Sequence, residues 1–189
     1  MSSSSNNDNI NNTKTMTITG QNNRYKMKEV MNGGIKPEKA IRHKMKDLND
    51  TAFENQVEMI NIMYTAMPSV EKNEYNLLLK QELEKKIGGY KQQDMKKGIY
   101  DIHHLITMEE LVEKLVISKL KCAYCAGAVL LFYKNVREEM QWTLDRKYNE
   151  ECHSNENTVI SCLKCNLERR VKNVDKFIFS KKLRIKKEM

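Results

Sequence analysis

Four of the five cysteines fall as two Cys-x-x-Cys pairs, Cys122 with Cys125 and Cys162 with Cys165, with 36 residues between the pairs. Each close pair can grip one metal ion without strain, and two pairs together complete a tetrahedral four-thiolate site of the kind that zinc takes. A closed site of four thiolates leaves no position for substrate, so such an ion holds the fold and does no chemistry. The competing reading, two unrelated redox pairs, lacks the βαβ context of a thioredoxin-like motif. Cys152 stands outside the pattern and is expected to be a free thiol.

The chain has 189 residues, of which 40% are apolar and 31% charged, enough for a modest core with much exposed surface. No run approaches the roughly 18 consecutive apolar residues of a membrane span. The opening MSSSSNNDNINN has neither the basic start nor the apolar centre of a secretory signal, so an intracellular protein, not a secreted one, is expected. Disulfides are rare in that setting, which again favours metal ligation. The net charge is +8, and it is unevenly placed: residues 164–189 carry ten Lys or Arg against three acids, +7 of the total. This is either a solvated, self-repelling tail or a phosphate-binding surface beside the cysteines.

Residues 1–23 are Ser-, Asn- and Thr-rich and are expected to be a disordered tail, because they cannot bury enough surface to offset the entropy of ordering. A helical region is expected over 24–104. Residues 24–50 are basic and weakly helical, and helical periodicity then runs through Phe53, Val57, Ile60 and Tyr64, ending before Pro68. A second helix is expected from about Val70, with Tyr75, Leu78, Leu79 and Leu83 on one stripe, stopped by Gly88-Gly89. These helices either pack on one another and on the C-terminal module or offer a partner a helical hairpin. His103 and His104 read as ordinary surface residues, and YKQQDMKK, polar and basic, is a weak candidate for backbone contact with nucleic acid.

The third region, 105–178, is expected to be the zinc module with its lead-in helix, followed by a basic tail over 179–189. Thr107 and Glu110 form a capping box that starts a helix at Met108, with Leu111, Val112, Leu115 and Val116 on its face. After Cys125, VLLFY (129–133) reads as a buried strand and QWTLDRK as an alternating one, with KNVREEM between them. Residues 146–157 read as polar loop, and a helix from Ser161 carries Cys162, Cys165, Asn166, Arg169 and Arg170. The fold class is therefore α+β: a small zinc-clipped module at the C-terminal end, preceded by helices.

Taken together, CAYC and WTLDRKYNEECHSNENTVISCLKCN resemble the His-Asn-His (HNH) endonuclease family, in its zinc-bound branch, which includes phage recombination endonucleases and HNH-like proteins of large DNA viruses. The resemblance covers about residues 119–172 and none of the first 90. It implies a ββα-metal fold, treble-clef-like, in which a hairpin and a helix hold one divalent cation. By position, Asp145 and Asn166 would be that cation's ligands, offering hard oxygen to magnesium or manganese. Asn157 matches the middle asparagine, which ties the loop to the hairpin. The family's base histidine follows the aspartate, and here that place is Arg146. Arginine stays protonated and cannot be the base, but it can clamp a phosphate through two parallel hydrogen bonds. His153, the one histidine inside the module, either folds back as the base or serves as a loop or supporting residue.

The resemblance implies phosphodiester hydrolysis in DNA with Mg2+ or Mn2+, and places the protein in a cytoplasm, nucleus or viral factory. Arg169, Arg170 and Lys172 would hold the sugar-phosphate backbone, and double-strand cleavage would favour a homodimer. The alternatives are a zinc-dependent nucleic-acid-binding module with a decayed active site, and a purely structural or protein-interaction zinc domain.

Overall fold

A computed structural model of the chain describes residues 17, 21–34, 41–42, 53–66 and 74–183. The expected disorder of residues 1–16 and 18–20, most of the basic, weakly helical stretch over 35–50, the start of the second helix at 70–73 and the tail over 184–189 all lie outside the described residues. The described chain is α+β, and it divides into a unit ending at Glu38 and one beginning at Lys39.

In the first unit, α1 (Gln21–Met31) begins inside the segment expected to be tail and is closed by Gly33 and Gly34. Both glycines have positive φ, +66° and +84°, and Gly34 donates its N–H to Glu29 O at 3.0 Å. Glycine reaches this left-handed conformation without steric cost, which makes it the natural helix terminator.

The second unit contains α2 (Phe53–Ala66), α3 (Glu74–Lys97), α4 (Met108–Ile117), β1 (Trp142–Arg146), β2 (Thr158–Cys162), α5 (Leu163–Arg169) and α6 (Val174–Lys182). Ile60 and Met63 of α2, Leu79 and Leu83 of α3, and Leu111, Val112 and Leu115 of α4 share one core with Val129, Trp142 and Leu144. The helices thus pack on the module rather than forming a free hairpin. Tyr64, expected on the inner stripe of α2, is exposed, and Gln56 is inside instead. The capping box at the start of α4 forms as read: the Thr107 hydroxyl accepts from Glu110 N at 3.2 Å, and the Glu110 carboxylate accepts from Thr107 N at 2.8 Å.

Three expectations are corrected here. Gly88-Gly89 does not stop α3, which continues two more turns to Lys97. Glycine in a helix interior costs about 1 kcal/mol relative to alanine, and tertiary bonds made beyond it, described below, hold the helix together. VLLFY is not a strand. Its N–H groups go elsewhere: Val129 donates to Leu120 O, Leu130 to Met140 O, and Leu131 and Phe132 both to the buried Gln56 side chain, at 2.8 and 3.0 Å. The partner of β1 is instead β2, antiparallel, with Leu144 opposite Ile160 and Arg146 opposite Thr158. The helix expected from Ser161 consequently begins at Leu163, with Cys162 as its N-cap.

One edge of this two-stranded sheet would be left bare, and unpaired backbone at an edge is costly and prone to association. Helix α3 covers it. Lys86, Tyr90 and Asp94, at i, i+4 and i+8, lie on one helical face and meet β1 in register. Lys86 donates to Trp142 O, the Tyr90 hydroxyl accepts from Leu144 N at 2.9 Å, and Asp94 accepts from the Arg146 guanidinium at 3.3 Å. Lys86 and Tyr90 thus engage the strand backbone as a third strand would, and Asp94 adds a side-chain pair at its end. Tyr90→Phe leaves the buried Leu144 N–H without an acceptor, so it should cost about 1–3 kcal/mol, measured by urea denaturation, with little change in secondary structure by circular dichroism.

A candidate metal centre and the hairpin beside it

The turn that presents the first cysteine pair follows the end of α4. Ala123 N donates to Ile160 O at 2.9 Å, which hangs the turn on β2, and Ala126 N returns to Cys122 O at 2.9 Å. Gly127 packs closely here: a β-carbon on it would stand 3.4 Å from the Cys125 sulfur, an ordinary contact, and 3.3 Å from Met140 Cε, the flexible end of a side chain that would shift slightly. The second pair is set by the β2–α5 junction, where the Cys162 sulfur accepts from Cys165 N at 3.4 Å. All four sulfurs lie within 4.8 Å of one another. Tetrahedral zinc with its Zn–S bonds near 2.3 Å asks for sulfurs roughly 3.8 Å apart, so a small closure of this cluster would seat an ion. Cys122, Cys162 and Cys165 are buried and Cys125 is exposed. The Cys122 thiol is pulled down to about 4, first by the hydrogen bond from Cys162, while burial pushes Cys165 up to about 12. Cys152 is free and buried, and burial raises its thiol.

The cage fixes a β-β-α order, and the two ends of the hairpin are tied by Asn157. Its amide nitrogen donates to Tyr148 O and Cys152 O at 2.9 and 3.0 Å, and its amide oxygen accepts from Tyr148 N at 2.9 Å. Lys147 N donates to Asn157 O at 2.7 Å. This asparagine clasps the intervening loop, which is the supporting part assigned to it.

Asp145 does not stand open to a cation. Its Oδ2 accepts from the Tyr124 hydroxyl at 2.6 Å and from Arg169 Nε at 2.5 Å, and its Oδ1 accepts from Arg169 Nη2 at 2.8 Å. The carboxylate is buried and the arginine is only 1% exposed. Arg169, expected on a phosphate-holding surface, therefore lies inside, and its other bonds reach Arg146 O at 2.5 Å and Lys172 O at 2.8 Å. The Asp145 bond raises the arginine still further above its already high range, and burial together with that carboxylate raises the Tyr124 phenol. Asn166, half-buried on α5, turns its amide nitrogen to the Thr143 hydroxyl at 3.1 Å and Leu144 O at 3.3 Å, and its amide oxygen accepts nothing among the described residues. Of the two expected cation ligands, then, one is fully engaged. A divalent ion held by Asp145 and Asn166 does not fit this arrangement.

Arg146 and His153 meet at Asp94, a residue of the YKQQDMKK stretch that the sequence places beyond the helix as a candidate for backbone contact with nucleic acid. Asp94 is fully buried. It accepts from Arg146 Nη1 at 3.3 Å, from His153 N at 2.7 Å, and pairs with His153 Nδ1 at 2.7 Å. The His153 ring lies against Tyr90, centroids 4.6 Å apart, and burial pulls its pKa below the usual imidazole range, with Asp94 opposing. Arg146 is thus committed to an interior carboxylate and the Glu151 carbonyl rather than turned out to clamp a phosphate. His153 is held by Asp94 through both its ring Nδ1 and its backbone N–H, a contact that fixes the ring, and with 3% exposure that ring is shielded from solvent. The signal that could have found Asp94 is its i+4 spacing from Tyr90 and, in turn, Lys86. Arg170 and Lys172 are exposed. His103 and His104 are exposed, with His104 paired to Asp101 at 2.7 Å.

No known family model, curated protein or solved structure matches this chain. No helix among the described residues is long and apolar enough to cross a membrane.

Cys162→Ser removes both a sulfur of the cage and the cap of α5. Metal analysis of the purified chain should fall from one ion to none, and thermal unfolding should lose cooperativity, since a structural zinc site contributes directly to folding. Asp145→Ala leaves the buried Arg169 uncompensated and should destabilise by about 3–5 kcal/mol, read from denaturant midpoints with zinc retained.

Proposed function

We propose that this chain is a zinc-clipped module of the HNH endonuclease type that acts on nucleic acid, DNA in the first place. The observation that carries the reading is the β-β-α order itself: a hairpin, a loop clasped by Asn157, and a helix whose first turn is fixed by four gathered thiols. Those are the parts and the order that the sequence resemblance implies. Zinc is the ion that suits the thiolate set. Cys122, Cys125, Cys162 and Cys165 would hold it, and it would supply structure rather than chemistry.

The surface that follows the cage is basic. Arg170 and Lys172 are exposed there, and α6 is docked beside them by Phe177, whose ring meets Tyr124 of the first knuckle edge-on at 5.1 Å. Lys172 and Lys181 both lie near that ring, at 5.6 and 5.4 Å, with Lys181 paired to Glu168 at 2.5 Å and Lys172 the more available to a phosphate. Cations arrayed in this way draw a phosphate backbone through counterion release, with no reading of bases.

Binding without hydrolysis leads between the two forms of this reading, because Asp145 is spent on Arg169 and Tyr124. Endonucleolytic cleavage with magnesium or manganese is the second form, and it requires Asp145 to part from Arg169 and Tyr124. What favours it is Asn166, placed at the hairpin–helix junction with an amide oxygen that accepts nothing among the described residues.

The zinc-loaded chain should retard duplex DNA in a salt-sensitive way. Arg170→Ala and Lys172→Ala should each lower the slope of log affinity against log salt by about 1. Supercoiled plasmid incubated with magnesium or manganese separates the two forms: an intact plasmid supports binding alone, and nicking that vanishes in Asn166→Ala supports the nuclease. A chain that neither binds nor cuts at low salt sinks both.

A further inference from the structure

We propose that the Arg169 guanidinium is the resident cation of this module, filling the place beside Asp145 that a divalent metal would take, so that the module engages DNA without magnesium or manganese. The inference rests on reading the hairpin–helix junction as an HNH-type site.

A carboxylate next to a hairpin and a helix can be neutralised in two ways. A hydrated magnesium ion demands near-octahedral oxygen ligation at about 2.1 Å and keeps several of its waters. A guanidinium instead offers a planar fork that matches the two carboxylate oxygens, needs no water, and is never deprotonated. The junction here has the second set of features. Nε and Nη2 of Arg169 approach Oδ2 and Oδ1 of Asp145 at 2.5 and 2.8 Å, a bidentate fork, and the Tyr124 hydroxyl takes a further lone pair at 2.6 Å.

The rest of the guanidinium is also employed. Nη2 reaches Arg146 O at 2.5 Å at the end of β1, and Nη1 reaches Lys172 O at 2.8 Å in the turn after α5. One side chain therefore ties together the strand end, its carboxylate and the turn that carries Arg170 and Lys172. For a metal to reach Asp145, a fully buried cation would have to withdraw from all three. Because Arg170 and Lys172 sit on the turn that Arg169 holds, the exposed cations are presented by the internal one.

The test is a manganese titration of the zinc-loaded full chain, following free Mn2+ by electron paramagnetic resonance, alongside DNA retardation at fixed ionic strength with and without magnesium. Manganese is chosen because it seeks oxygen and competes poorly for thiolates. Wild type is expected to bind no Mn2+, and its DNA affinity is expected to be the same in both buffers. Arg169→Ala is expected to gain one Mn2+ per chain, because its buried carboxylate then lacks a counter-charge, and adding Asp145→Asn should abolish the gain. A stoichiometric Mn2+ site in wild type that Asp145→Asn removes overturns the proposal, and this arm decides even if Arg169→Ala does not fold. Retardation that requires magnesium also overturns it while leaving the DNA reading intact. Absence of retardation in both buffers overturns the DNA reading and with it the second half of the inference, and the ion count then decides the first half alone.

Discussion

The second unit depends on four sulfurs being brought within 4.8 Å of one another from two distant stretches of chain. One pair follows α4 and the other spans the β2–α5 junction. Gathering them fixes where the knuckle meets β2, where α5 starts, and which way its first turn faces. A two-stranded sheet of five-residue strands cannot hold itself together in water. The cage staples it from one side, and α3 supports it from the other.

That second support was the least legible part of the sequence. YKQQDMKK reads as a solvated, basic stretch, and Asp94 within it looks like any other surface acid. Its partners lie 52 and 59 residues away, at Arg146 and His153, so no local pattern announces them. Gly88-Gly89 compounded the difficulty, because diglycine ordinarily ends a helix. Here the bonds from Tyr90 and Asp94 to the module hold the helix beyond the weak point. Long-range hydrogen bonding overrides local propensity in this segment, and it converts two expected functional groups, Arg146 and His153, into parts of an interior network.

What was legible followed from short-range chemistry. The thiol spacing anticipated the cluster, and the capping box anticipated the start of α4 to the residue. Asn157 was read as a clasp and is bonded as one. The hairpin partner was misread for a physical reason: an apolar run such as VLLFY satisfies every local criterion for a strand, while its N–H groups can be met by a single buried glutamine. TVISC is half polar, and its last two residues fall in the helix expected from Ser161. Arg169 was misread because it sits in a basic run, and charge density in a sequence says nothing about which cation turns inward. The acid that selects it, Asp145, lies 24 residues earlier.

The way α3 lies along β1 also bears on how copies of this chain could meet. Small sheets commonly recruit a neighbour by lengthening, strand added to strand across molecules. Here the outer rim of β1 is met at Trp142 O by a lysine and at Leu144 N by a tyrosine, and the opposite rim, at Ile160, takes a backbone bond from the cysteine turn at Ala123. A strand added from another copy would first have to displace these contacts, so helical and loop surfaces are the readier faces for two copies to meet through.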